Sequence, residues 1–135
     1  MMVEMSAMTH SRTDAIRRLC DDLGLPGGDE FTQDWEHELP EEFRSSEWLP
    51  RFIAAYNSEG YGPSEKQALM MLLLDCLNEG IEAGDEAIEC LWNEVAPLLL
   101  ADREIHSNLI EHWSLPGESL EDAFAITARI RTLTS

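Results

Sequence analysis

The stretch from Ser64 to Ile81 is the most apolar part of the chain, and it constrains the fold more than any other segment. Ser64 and Gln67 have the spacing of a capping box, which predicts a helix that begins at Ser64 and ends near Gly84. Its apolar positions are Leu69, Met70, Met71, Leu72, Leu73, Leu74, Leu77 and Ile81. A helix that is apolar on almost every side must be covered by several other elements. The pattern therefore predicts a central, buried helix.

Shorter segments repeat apolar residues at i, i+3, i+4 and i+7, the spacing of one helical face. No alternating pattern of useful length and no Asn-Gly or Asp-Gly turn indicates a strand or a hairpin. We therefore predict an all-α fold, a compact bundle of about five to seven helices, with stacked helical hairpins as one possible arrangement. Residues 1–12 are predicted to be a flexible N-terminus, and residues 13–135 a single helical domain.

The patterns also predict where the other helices begin. Pro97 is expected to kink or restart a helix that Asp85 caps. A second capping box at Ser119 is expected to open the last helix. The predicted starts are Thr13, about Ser46, Asp85 and Ser119. The inner face of the last helix is predicted to be Leu120, Phe124, Thr127, Ile130 and Leu133.

Charge is the second strong feature. The chain holds 27 acidic and 9 basic side chains, for a net charge of -18. Residues 29–47 hold eight acids and one base, and residues 67–102 hold eight acids and no base. Such a concentration destabilises a compact fold by self-repulsion but steers a positively charged partner. It disfavours direct binding to nucleic acid or to an anionic membrane, and it favours a basic protein as the partner.

Two groups of residues are candidates for binding that partner. In the first, acids alternate with aromatic residues, which suits arginine because its guanidinium can stack on a ring and bond to a carboxylate. If the aromatic residues were core instead, only the acids of this group would be exposed. In the second, three acids lie on one face of a helix, and a fourth lies at the start of the next helix. The first group is Asp34, Trp35, Glu36, Glu38, Glu41 and Glu42, and the second is Asp75, Glu79, Glu82 and Glu86.

The three cysteines, Cys20, Cys76 and Cys90, are an odd number without CxxC spacing, so we expect free, buried thiols in a reducing compartment. The first residues lack the basic and apolar regions of a signal peptide, and the longest apolar run is far shorter than the roughly 20 residues that span a bilayer. A cytoplasmic protein is the resulting expectation.

We expect no metal, cofactor or enzymatic activity. No Cys/His set has zinc spacing, and the Glu-x-x-His motif of di-iron bundles is absent, so His37, His106 and His112 are predicted to be surface residues. The chain has no GxSxG motif and no phosphate-binding glycine loop.

In general character the chain resembles bacterial immunity proteins, which neutralise cognate toxins. The shared features are small size, strong acidity and aromatic residues within an acidic segment; no functional residue is carried over from the resemblance. It implies an inhibitor that occludes a basic site on a toxin. Two alternatives stay open: a DNA mimic that regulates a nucleic-acid-binding protein, and a helical adaptor domain whose acidity serves solubility.

Overall fold

The computed structural model describes residues 15–25, 43, 47–58 and 60–134. These residues are helical and contain no strand, which confirms the all-α class. The predicted flexible N-terminus, residues 1–12, lies outside the described residues. The elements are α1 (15–23), α2 (Leu49–Tyr56), α3 (Pro63–Ala83), α4 (Ile88–Ala101), α5 (Ser107–Ser114), a 3-10 turn (Leu120–Asp122) and α6 (Thr127–Thr134).

Helix α3 is the centre of the core, as its apolar pattern predicts. Its side chains from residue 68 to residue 78 are buried, except for the half-buried Met71. Helices α2 and α4 both pack on α3, and buried residues of α1 and α6 belong to the same hydrophobic cluster. Each leucine buried in this way stabilises the fold by roughly 1.5–3 kcal/mol. The fully buried leucines of α3 are Leu69, Leu72, Leu73, Leu74 and Leu77.

The start of α3 differs from the prediction. The N-cap is Gly62 and the helix begins at Pro63, so Ser64 is not the cap and no capping box forms. Proline is favoured in the first turn because its missing N–H needs no partner there. The side chain of Gln67 donates instead to the carbonyl of Ile105, at 2.7 Å. The other end is as predicted, since Gly84 caps the helix with φ +72°.

Helix α4 runs without a break through Pro97, so the helix does not restart there. Proline removes the hydrogen bond to the carbonyl four residues earlier, here that of Asn93. Both Pro97 and Asn93 lie on the exposed side of α4, where water can donate a hydrogen bond to the Asn93 carbonyl. Asp85 acts just before the helix, because its carboxylate accepts the Ala87 N–H at 3.0 Å and α4 begins at Ile88.

The last helix begins at Thr127, eight residues after the predicted cap. Ser119 precedes only a 3-10 turn, because Ala123 is extended and ends it. Thr127 and Ile130 are buried as predicted, but Leu120 and Phe124 are exposed to 57% and 36%. The Thr127 hydroxyl donates to the carbonyl of Trp113 at 2.8 Å and joins α6 to the end of α5.

None of the three cysteines forms a disulfide, as expected, but they are not all buried. Cys20 and Cys76 lie in the core, while Cys90 is exposed on α4.

Candidate functional site

The first group of candidate residues, Asp34, Trp35, Glu36, Glu38, Glu41 and Glu42, lies outside the described residues. Two aromatic neighbours of that segment are described. Phe43 packs edge-on against Trp48, with ring centroids 4.9 Å apart, and both are partly buried against the core. Arg51 lies over the Trp48 ring at 4.4 Å. The ring face of Trp48 is therefore already covered by an arginine of the same chain.

The four residues of the second group differ in burial. Asp75 is buried, with 4% of its surface exposed, so it does not belong to an exposed acidic strip. It lies on the section of α3 that other helices cover on all sides, where even a polar position is enclosed. Glu79, Glu82 and Glu86 are exposed. We call these three residues, together with the exposed Asp85, the acidic corner.

The acidic corner lies where the C-terminal end of α3 meets the N-terminal end of α4. Within the last turn of α3 there is no basic residue, although Glu82 is there. A carboxylate is unfavourable at that end of a helix because the macrodipole is negative there. Glu86 precedes the positive end of α4, where a carboxylate is favourable. The fold therefore explains the position of Glu86 but not that of Glu82.

This difference predicts opposite effects of two neutral substitutions. Glu82→Gln should raise the free energy of unfolding by about 0.3–1 kcal/mol, and Glu86→Gln should lower it by an amount no larger than that. Urea unfolding of both variants at low ionic strength measures the two changes. Equal changes of the same sign would show that helix-end electrostatics do not govern these carboxylates.

Glu89, which the sequence places next in the acidic strip, has a different role. It forms an ion pair with Arg129 of α6. Beside this pair, α4 and α6 border an open groove of about 420 Å³. Trp92 and Leu133 line the groove together with the ion pair. The acidic corner thus ends at Glu89, where a base of another helix compensates the charge.

The opposite end of the α3–α4 hairpin has mixed charge. Arg18 of α1 pairs with Glu65 at 2.9 Å, and Lys66 lies 3.8 Å from the carboxylate of Asp102. Tyr61 donates to Asp22 at 2.8 Å; its burial, followed by that hydrogen bond, raises the pKa of Tyr61 to about 12. Arg18 and Lys66 therefore lie near the start of α3, at the far end of the hairpin from the acidic corner.

A buried polar cluster at this mixed end was not predicted. His106 was expected at the surface, but it is fully buried. The Tyr56 hydroxyl lies 2.6 Å from a carboxylate oxygen of Asp102 and 2.6 Å from Nε2 of His106. The sequence indicates this cluster only weakly. Tyr56 is the last residue of an apolar face of α2, and His106 follows Asp102 by one helical turn.

The geometry assigns the histidine tautomer. A hydroxyl has one proton, and the carboxylate of Asp102 can only accept, so Tyr56 donates to Asp102. The hydroxyl must then accept a proton from Nε2 of His106, which makes His106 the neutral Nε2–H tautomer. Its Nδ1 is a buried acceptor with no hydrogen-bond partner among the described residues. The unpaired Nδ1 acceptor is therefore a consequence of the neutral Nε2–H tautomer of His106.

The pKa directions agree with that assignment. Burial lowers the pKa of His106, against the opposing effect of Asp102. Burial, and then the hydrogen bond to Asp102, raises the pKa of Tyr56 well above its ordinary value. Both groups are thus neutral near pH 7 and join α2 to the turn after α4. The cluster therefore supports the fold by linking these two neutral groups to the partly exposed carboxylate of Asp102.

In the described part of the chain, no three histidine, cysteine or acidic side chains are placed to hold a metal ion. Within the same residues, every helix is too short or too polar to cross a membrane. Comparison of the chain with protein-family models, with curated proteins and with solved structures found no match in any of the three.

Proposed function

We propose that the chain is a protein-binding inhibitor without enzymatic activity, which uses its acidic surface to occupy a basic site on another protein. The observation that supports the proposal is the acidic corner, where exposed carboxylates of α3 and of the turn before α4 follow one another. A surface that serves solubility alone usually mixes both signs of charge. Here residues 67–102 contain no lysine or arginine, and Glu82 lies where the fold disfavours it.

The corner is remote from the bases at the other end of its hairpin. Along α3, Lys66 and Glu82 are about 24 Å apart at 1.5 Å per residue. That separation is about three times the Debye length at physiological ionic strength, so Lys66 does not compensate the corner. Among the described residues, Arg129 lies beside the corner and is engaged by Glu89. The field of the corner can therefore steer a basic partner, and steering raises the association rate more than the affinity.

More specifically, we propose that the chain is an immunity protein that neutralises a cognate toxin in the bacterial cytoplasm. In this proposal the fold is a compact bundle whose core helix α3 holds the corner rigidly. The first candidate group, residues 34–42, would extend the binding surface and supply aromatic anchors. The identity of the partner decides between this form and a DNA mimic, whose target would be a nucleic-acid-binding regulator. An adaptor domain predicts no tight, salt-dependent partner.

Capture from a lysate of the native host tests the proposal. The immobilised wild-type chain is loaded at low salt, washed with a salt gradient, and compared with two charge-reversal variants. Glu82→Lys/Glu86→Lys removes the corner, and Asp21→Lys/Glu104→Lys makes the same net change at exposed acids elsewhere. We expect one basic protein, retained in stoichiometric amount by the wild type and the control but eluted at distinctly lower salt from the corner variant.

Two results would count against the proposal. Retention of a diffuse set of basic proteins, equally by all three chains, would mean that the charge acts only generally. Equal salt elution of one partner from the corner variant and the control would place the binding surface away from the corner.

A further inference from the structure

The connection between α5 and α6 presents two large apolar side chains to solvent. Leu120 is 57% exposed and Phe124 is 36% exposed, and they are the large hydrophobic side chains exposed among the described residues. Both were predicted to lie in the core, on the inner face of a helix that does not form. Exposed apolar side chains gathered in one segment mark an interaction surface more often than isolated ones do.

This connection is fixed at its first half by one arginine. The guanidinium of Arg131 donates to the carbonyls of Ser114, Leu115 and Glu118, at 2.6, 2.5 and 2.8 Å. These bonds satisfy carbonyls at the end of α5 and hold the turn in which Leu115 adopts φ +43°. The guanidinium of Arg131 is thus directed at backbone oxygens of the connection.

The second half of the connection is fixed as firmly. The N–H of Ile126 donates to the buried side-chain oxygen of Asn78 at 3.0 Å, and Thr127 bonds to Trp113. Phe124 packs on the Trp113 ring at 4.8 Å and on the His112 ring at 5.5 Å between centroids. The exposed side chains are thus displayed by an ordered segment, and ordering before binding lowers the entropic cost of association.

Apart from Arg131, whose guanidinium faces backbone carbonyls, the charged side chains of this connection are acidic. Residues 104–128 contain no lysine or arginine. Glu111, Glu118 and Glu121 are exposed on or beside the connection. An apolar surface with an acidic border fits a partner that is apolar at the centre and basic at the edge.

We propose that Leu120 and Phe124, with Glu118 and Glu121 at their border, form a second binding surface for a peptide segment of another protein. The segment has an aliphatic or aromatic side chain next to lysine or arginine. Its apolar side chain covers Leu120 and Phe124, and its basic side chain meets the glutamates. This inference goes beyond the proposed function, because it does not use the acidic corner.

Selection from a random peptide library displayed on phage tests the inference. The wild-type chain is the bait, and Leu120→Ser, whose exposed position leaves the core intact, is the counter-selection bait. We expect the enriched peptides to place an apolar residue beside a basic one. A selected peptide should bind Leu120→Ser about tenfold more weakly, which corresponds to 1.4 kcal/mol. Glu118→Lys/Glu121→Lys should weaken binding and reduce its salt dependence, while Glu82→Lys/Glu86→Lys should leave it unchanged.

Three results would overturn the inference: no enrichment, enriched peptides without basic residues, or peptides that bind Leu120→Ser as tightly as the wild type. Peptides lost only in the corner variant would likewise overturn it, although they would agree with the proposed function. Binding unaffected by the corner variant but lost in Leu120→Ser supports this surface whatever the outcome at the corner.

Discussion

Replacing Gly80 by valine is expected to lower the free energy of unfolding by about 2–3 kcal/mol, because Ile88 of α4 occupies the space that a side chain at this position needs. A Cβ atom at Gly80 would lie 2.3 Å from Cδ1 and 2.7 Å from Cγ1 of Ile88. Ile88 is buried at the start of α4 and has little room to move. The substitution therefore has to separate the two helices or force Ile88 from its rotamer. Urea unfolding measures the loss.

A double-mutant cycle with Ile88 isolates the contact. In the Ile88→Ala background the obstructing atoms are absent, and Gly80→Ala should become stabilising by about 1 kcal/mol, the difference in helix propensity. In the wild-type background the same change should be neutral or destabilising. The exposed Ala83→Val, in the same helix, controls for the β-branched side chain alone. A penalty at Gly80 that is unchanged by Ile88→Ala would contradict the close-approach explanation.

The free energy of unfolding should also fall as the pH drops below about 6.5, because His106 resists protonation in the folded state. For one such group the loss is at most about 1.4 kcal/mol per pH unit. Burial lowers the pKa of His106, so the unfolded chain takes up this proton at a higher pH than the folded chain does. The loss begins at the unfolded pKa and stops at the lowered folded pKa. Protonation in place would give Nδ1 a buried N–H for which the described residues offer no acceptor.

The measurement is the free energy of unfolding against pH for the wild type and for His106→Gln, which removes the titrating group. The many carboxylates contribute equally to both chains, so the difference between the two curves reports His106. His112→Gln, at an exposed histidine, is the matched control for the substitution itself. Parallel curves for the wild type and His106→Gln would contradict the account. Nitrogen chemical shifts that place the proton on Nδ1 would contradict the tautomer.

Much of the core could be predicted from the sequence, because the spacing of apolar residues indicates directly which helix face is buried. The apolar stripe of α3 and its end at Gly84 are both found where the pattern predicts them. These features depend on residues close together in the chain. The all-α class follows from the same signal.

Helix boundaries were predicted less well, because several local signals compete at one position. Ser64 has the spacing of a cap, but Pro63 is a stronger first residue and takes the helix start. Pro97 is a helix breaker by local rules, yet the packing of Val95 and Leu99 on the core keeps α4 continuous. At Ser119 the local pattern resembles a helix start, and the Arg131 bonds to the preceding turn are not visible in it.

The candidate site was predicted only in part, because side-chain burial depends on contacts between distant segments. Asp75 shares a helix face with Glu79 by spacing, but the neighbouring helices enclose one and not the other. The bonds of Tyr56 to Asp102 and His106 join residues 46 and 50 positions apart. No local pattern encodes such a pairing.

The central claim, that the acidic corner steers a basic partner, is tested most directly by the association rate constant of the captured partner as a function of ionic strength. Stopped-flow measurements compare the wild type, Glu82→Lys/Glu86→Lys and the charge-matched Asp21→Lys/Glu104→Lys. The account predicts that the corner variant associates at least about tenfold more slowly at low salt and has a shallower salt dependence, while the control stays close to the wild type. Equal rates and equal salt slopes for the two variants would contradict it.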